Sequence, residues 1–315
     1  MRLGIKSAQL AIVLCALLGA ALAQAAPAHD EQTAATRKVA QAFLHQLFTL
    51  QDSFGAYRQY AIPDFVQHNP EMADGIAGRE AFFKARAQKE TGHPVKMANV
   101  YNIVLVDGDL FAIHHEGFSG PDDPGRVFVD IWRVAKGRIV EHWDVIQPYP
   151  QHRLNDNGMG CGQGDTYATA LNVVSSPEHP VCPLPDPKYS REASIKVEDD
   201  YTAAVKGGDV SAAIMQWFTP DYRQHSPNIA DGRQGAIDYL DREYGKNAKV
   251  RPKATASRII AEGDYVLAHR QVLYPGATKT STNVDIFRIR DGKVSEHWDV
   301  KQLVPDTSAN KNGMW

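Results

Sequence analysis

The chain is written twice. Pro63-Asp64-Phe65-Val66-Gln67-His68-Asn69-Pro70 returns as Pro220-Asp221-Tyr222-Arg223-Gln224-His225-Ser226-Pro227, and Ala73-Asp74-Gly75 returns as Ala230-Asp231-Gly232. Glu141-His142-Trp143-Asp144-Val145 recurs unchanged as Glu296-His297-Trp298-Asp299-Val300, with Val129-Asp130-Ile131 answered by Val284-Asp285-Ile286. Gln147 and Gln302 follow, then Asn157-Gly158-Met159 and Asn312-Gly313-Met314. So many matches in order imply a duplicated unit, and a repeat of this length is a whole domain rather than a solenoid turn. The expected division is a first domain over 30–160, a connecting segment over 161–189 and a second domain over 190–315.

The chain opens with an address. Arg2 and Lys6 precede an apolar run from Leu10 to Leu22, and Ala21-Leu22-Ala23 and Ala23-Gln24-Ala25 both fit the small-x-small cleavage rule. The run is short for a hydrocarbon layer of about 30 Å. Residues 1–25 therefore read as a signal peptide, and the protein is expected to be periplasmic or secreted, with no membrane attachment after cleavage. Cys15 leaves with the leader, so Cys161 and Cys182 remain as an even pair in an oxidising compartment. They bracket a Gly- and Pro-rich stretch and are expected to form a disulfide, worth roughly 3 kcal/mol in the chain-entropy picture; the alternative is two independent thiols.

Charge excludes one class of partner. The formal net charge is −3, and losing Arg2 and Lys6 takes it to about −5. Nucleic acid requires an excess of phosphate-neutralising Lys and Arg, so no nucleic-acid partner is expected.

Each unit places helices before strands. Val39, Ala40, Phe43, Leu44, Leu47 and Phe48 recur at helical spacing, and shorter helices are expected over 52–60 and 78–88. Strands follow over 100–106, 110–116, 127–134 and 138–146, with turns at Asp107-Gly108-Asp109 and Ala135-Lys136-Gly137. The second unit repeats this order. Helices segregated from a strand meander define an α+β class, with a curved antiparallel sheet wrapping the helices and a small-molecule pocket at its open end.

The Gln-His-Asn-Pro string, the following Gly-x-x-Gly, Asp-Ile-Trp/Phe-Arg, and Glu-His-Trp-Asp-Val resemble the SnoaL-like family of the nuclear transport factor two superfamily. They look closest to the subgroup described as predicted SnoaL-like aldol-condensation enzymes, which ends in an Asn-x-Met-aromatic tail like Asn312-Gly313-Met314-Trp315. The resemblance covers both repeats and implies two tandem cone-shaped half-barrels, packed as an intrachain pseudo-dimer. It also implies a cavity lined by His68 and His225 and by the last strand. Such a superfold hosts many chemistries, so the family alone does not fix a function. In the family's polyketide cyclases an Asp stands about four residues after the strand's Trp. Gln147 and Gln302 stand there in this chain and cannot exchange a proton at neutral pH.

The candidate catalytic residues are His68, Asp130, His225 and Asp285, and the candidate ligand-binding residues are Trp143, Gln147, Arg223, Trp298 and Gln302. Imidazole exchanges protons near neutral pH; a structural histidine at a strand end is the alternative. Arg223 shares a strand face with His225 and can hold an oxyanion. Asp130 and Asp285 interrupt apolar strands, as pocket bases with raised pKa or as buried partners of an arginine; by parity Arg133 and Arg288 lie on the opposite face. The family analogy turns Trp143 and Gln147 inward and His142 and Asp144 outward; the alternative is a catalytic His/Asp pair. His114, His115 and Glu116 have no further partner at ligand spacing, so no metal site is expected. No phosphate loop, dinucleotide fingerprint or Gly-x-Ser-x-Gly occurs, so no cofactor is expected. The expected function is binding of a small, mostly apolar ligand carrying a carbonyl or carboxylate, with proton transfer next to the carbonyl. The alternative is a non-catalytic binding or scaffold module.

Overall fold

The computed structural model describes residues 28–89, 97–162, 165–244 and 252–315; the leader expected over 1–25 lies outside the described residues. The first unit runs α1 (His29–Leu44), a π-helical turn (His45–Thr49), α2 (Ser53–Tyr60), β1 (Ala61–Gln67), α3 (Gly75–Lys89), β2 (Ala98–Asp107), β3 (Leu110–Phe118), β4 (Arg126–Ala135) and β5 (Arg138–Pro148). A short helix, α4 (Tyr167–Ala170), sits in the connecting segment. The second unit runs α5 (Arg191–Lys206), α6 (Val210–Trp217), β6 (Phe218–Gln224), α7 (Gly232–Tyr244), β7 (Lys253–Glu262), β8 (Tyr265–Leu273), β9 (Ser281–Arg290) and β10 (Lys293–Leu303). The fold is mixed α+β. Its two five-stranded sheets have the same strand order, β1-β5-β4-β3-β2 and β6-β10-β9-β8-β7, and neither closes.

Local chemistry explains the elements. Asp52 and Asp209 cap α2 and α6 by accepting the N–H of Gly55 and Ala212, each at 2.9 Å. Gly78 and Gly235 lie against the preceding loop; a Cβ would come within 2.4 Å and 1.9 Å of the Ala73 and Ala230 carbonyl oxygens. Lys136-Gly137 and Asp291-Gly292 take positive φ at both positions, the mirror-image turn that suits twisted antiparallel strands.

One feature of the sheets departs from the sequence reading. They are mixed rather than purely antiparallel, because β1 and β6 pair parallel with β5 and β10. The connection within each parallel pair is the helix and the three strands that follow the edge strand, with α3 and α7 carrying the chain to the opposite edge of the sheet.

The two sheets pack against each other. Val127, Val129, Ile131, Trp143 and Val145 of the first join Val284, Ile286, Trp298 and Val300 of the second in one buried cluster. Each large aliphatic side chain buried this way stabilises by roughly 1.5–3 kcal/mol. Helices cover the other, concave faces, in two separate clusters. Cys161 and Cys182 form a disulfide with Cα atoms 5.5 Å apart. The segment it closes lies along β2, where Val181 and Cys182 donate their N–H to the Tyr101 and Asn102 carbonyls, so this sheet edge is covered.

The carboxy-terminal tail of each unit crosses to the other. Asn155 donates to the Ser226 and Ile229 carbonyls at 2.6 and 2.8 Å, and Asn310 to those of Asn69 and Met72 at 2.7 and 2.9 Å. Both asparagines are buried. Replacing either with Ala leaves two carbonyls unpaired. Asn155→Ala and Asn310→Ala should each lower unfolding free energy by about 1–3 kcal/mol in urea titrations. A loss within experimental error for both would show that the tails hold nothing together.

Candidate functional site

Side-chain parity is decided by the sheet-to-sheet contact. A face covered by another sheet must be apolar, so Ile131, Trp143 and Val145 point to the contact. Their neighbours Asp130, His142 and Asp144 then point into the concave face. Register agrees: Asp130 faces Asp144 and Trp132 faces His142 across β4 and β5, as Asp285 faces Asp299 and Phe287 faces His297 across β9 and β10. The expected orientation of the last strand is therefore reversed.

This corrects several placements. Trp143 and Trp298 lie between the sheets, not in a cavity, and Trp298 donates its indole N–H to the Gly160 carbonyl at 2.9 Å. Gln147 accepts from the Lys301 N–H at 2.7 Å, and Gln302 from the Ile146 N–H at 2.8 Å, so both glutamines join the units rather than a ligand. His68 also leaves the hollow. It stacks on Trp143, and its Nδ1 meets the Gly313 carbonyl at 2.8 Å and its Nε2 meets Glu141 at 2.9 Å. His225 repeats this with Trp298, the Gly158 carbonyl and Glu296. With both ring nitrogens committed, neither histidine is left to act on a ligand. Arg223 is exposed and donates to Asn157 of the first unit's tail at 3.2 Å. Of the candidate residues, Asp130 and Asp285 stand on the concave faces.

The two hollows differ. In the first, Phe43, Tyr57, Phe65, Phe111 and Trp132 form a buried aromatic cluster, and the Trp132 indole donates to the Tyr57 hydroxyl at 3.0 Å. At the corresponding register positions the second unit has Val266 and Phe287 in place of Phe111 and Trp132. The second unit holds a cavity of about 220 Å³, walled by residues including Val205, Phe218, Ile229, Leu240 and Phe287 and by the phenols of Tyr201, Tyr239 and Tyr274. A wider surface depression of about 510 Å³ runs along Pro70, Gln302 and Ala309, but Glu71 is the one charged side chain lining it.

The cavity carries a connected set of charges. His297 Nε2 meets Asp285 at 3.2 Å, and its Nδ1 meets Gln224 Oε1 at 3.1 Å. Arg270 bridges Asp285 at 3.4 Å and Glu198 at 2.7 Å. Lys301 pairs with Asp299 at 2.7 Å and reaches the Tyr239 hydroxyl at 3.3 Å. Burial works to raise the Asp285 pKa, but the His297 hydrogen bond and the charges of His297 and Arg270 outweigh it and bring it down to about 2. Burial also opposes the charge on Lys301, yet Asp299 holds its pKa well above the ordinary value. In the first unit, burial pushes the Asp144 carboxyl up to about 6.

His114 and His269 belong to neither hollow. Burial pushes both down to about 3. His269 is held by Arg258 at 2.8 Å and Thr282 at 3.2 Å. The sequence reading missed Arg270, Lys301, Glu198 and the three phenols. A signal was available in the repeat itself, since Arg270 and Lys301 stand where the first unit has His115 and Ile146.

Residues 199–297 match the family model described as SnoaL-like domain; the second unit carries a SnoaL-like domain. No curated protein matches the chain. Among solved structures, TsrD from Streptomyces laurentii is similar at 21% identity over 36% of this chain and 90% of its own, with a TM-score of 0.29. An NTF-2-like protein from Burkholderia xenovorans aligns at 17% identity over 38% and 89%, with a TM-score of 0.31. An epoxide hydrolase of the LEH-like type from M. tuberculosis aligns at 17% identity over 36% and 84%, with a TM-score of 0.28. Among the described residues no helix is long and apolar enough to cross a membrane.

Asp285 has a pH signature. Its folded pKa lies below the ordinary 3.8, so its stabilising contribution is complete above that value and is lost as pH falls toward 2. The contribution is at most about 2 kcal/mol. Between pH 4 and pH 2, Asp285→Asn should lose correspondingly less stability than the parent chain in urea unfolding; parallel losses would contradict the Asp285 pairing.

Proposed function

We propose that the second unit binds a small, mostly apolar organic molecule with a carbonyl or carboxylate group, and transfers a proton next to that carbonyl. The observation that carries this reading is the His297–Asp285 pair beside a largely apolar hollow. Gln224 Oε1 accepts from the Ser226 N–H at 2.8 Å, so that atom is an oxygen and His297 Nδ1 carries hydrogen. Nε2 then faces Asp285, and a proton taken up there is the one passed to or from a ligand. Asp299, buried and accepting no well-formed hydrogen bond, is the base. Lys301 is ion-paired with Asp299 and donates one N–H to Tyr239, and a remaining N–H is suited to the oxygen on which negative charge develops. Proton transfer among these groups balances without an oxidant or reductant.

On this reading the chain is two tandem copies of one domain packed as an intrachain pseudo-dimer, with the first copy bracing the second. The leader over 1–25 supports export to the periplasm or the exterior. A second reading, a non-catalytic binding module, is favoured by Gln302: it occupies the family's acid/base position and is turned away from the hollow to bond Ile146.

A thermal-shift screen with hydroxy-ketones, aromatic acids and polyketide fragments tests binding, because a ligand that binds only the folded chain raises its melting temperature. Hits should lose their shift in Lys301→Met. For any hit that is turned over, His297→Gln and Asp285→Asn should lower kcat about 10²–10⁴-fold. Turnover unchanged in both variants would remove the proton-transfer mechanism, and shifts without turnover would favour the binding module.

A further inference from the structure

The first unit holds the same Asp-His-Asp set as the second, without the lysine. Gln67 Oε1 accepts from the Asn69 N–H at 2.8 Å, which fixes the orientation of its amide. The same oxygen meets His142 Nδ1 at 3.0 Å, so Nδ1 carries hydrogen and Nε2 is the ring nitrogen that can ligate a metal. Nε2 lies 3.1 Å from Asp130 Oδ1, while His115 Nε2 holds the other Asp130 oxygen at 2.9 Å. Asp144 completes the set. It is 4% exposed, its Oδ2 takes the Asn69 amide at 2.7 Å, and its Oδ1 is buried with no hydrogen-bond partner. One ligand atom from each of Asp130, His142 and Asp144 lies within 4.8 Å of the other two.

Two carboxylate oxygens converging on one spot repel each other unless a proton or a metal cation lies between them. In the second unit Lys301 Nζ, 2.7 Å from Asp299, neutralises that carboxylate. In the first unit Ile146 occupies the equivalent position, and among the described residues Asp144 has no cationic side chain in an ion pair with it.

We infer that Asp130, His142 and Asp144 form a binding site for a divalent first-row transition cation in the first unit. One nitrogen and two carboxylate oxygens suit Zn²⁺ or Mn²⁺. Gln67 and His115 are the outer groups that orient the ligands, as such sites require. Bond lengths of about 2.0–2.2 Å call for modest contraction of the three side chains around the ion. Asp130 retains 15% side-chain exposure, which leaves the ion a path in. This site is separate from the cavity of the second unit and does not rest on the function proposed for it.

The test is a titration of the chelator-stripped full chain with ZnCl₂ and with MnCl₂ by calorimetry, with bound metal counted by elemental analysis after gel filtration. The expected result is one equivalent per chain. Asp144→Asn and Ile146→Lys should each lose it, while melting temperatures of the metal-free variants report that they fold. Lys301→Met should gain a second equivalent. Failure of the parent chain to retain either metal overturns the site, and so does undiminished binding in both Asp144→Asn and Ile146→Lys, which would assign the metal to surface histidines.

Discussion

The burial of one sheet face against another is the interaction on which the rest of the structure depends. It fixes the outward parity of every residue on the central strands, because Val129, Ile131, Trp143 and Val145 can be covered only if they point the same way. Period-two alternation then leaves no choice for their neighbours: a slip of one residue would put every side chain on the wrong face. Asp130, His142 and Asp144, and likewise Asp285, His297 and Asp299, are turned into the hollows as a consequence. The polar chemistry of this protein is thus a by-product of where its apolar side chains must go.

Much of the architecture was legible in the sequence. Helical spacing, hairpin turns and segregated strands pointed to α+β, and the disulfide followed from an even pair of cysteines flanking a loop. The site was less legible, for a physical reason. Strand alternation says which residues share a face but not which face is covered, and that depends on a partner surface more than 150 residues away. The family analogy supplied the wrong answer for the last strand, placing Trp143 and Gln147 in the cavity. His68 and His225 were misplaced for a related reason, since their partners Gly313 and Gly158 come from the opposite unit's tail. Asp130 and Asp285 stood out in the sequence because a carboxylate in an apolar strand needs partners, but only the covered sheet face tells that they point into the hollows.

The two units share a scaffold and differ in what neutralises it. Trp132 and Phe111 stand on one concave face where Phe287 and Val266 stand on the other. His115 and Ile146 flank one Asp-His-Asp set, while Arg270 and Lys301 flank the other, with Glu198 balancing Arg270. The contact faces, where both units must fit each other, carry the Trp-x-Val pattern on both sides, whereas these concave-face positions, on which packing between the sheets imposes no constraint, differ.

The crossed tails bear on how the chain is made. The carbonyl that meets His68 belongs to Gly313, and the amide that pairs with the Asn69 and Met72 carbonyls belongs to Asn310. These residues are made after every strand of both units. The amino-terminal half can gather its helices and strands during synthesis, but it cannot reach its finished form until the second unit's tail has been made. Completion of the first unit therefore waits on synthesis of the second.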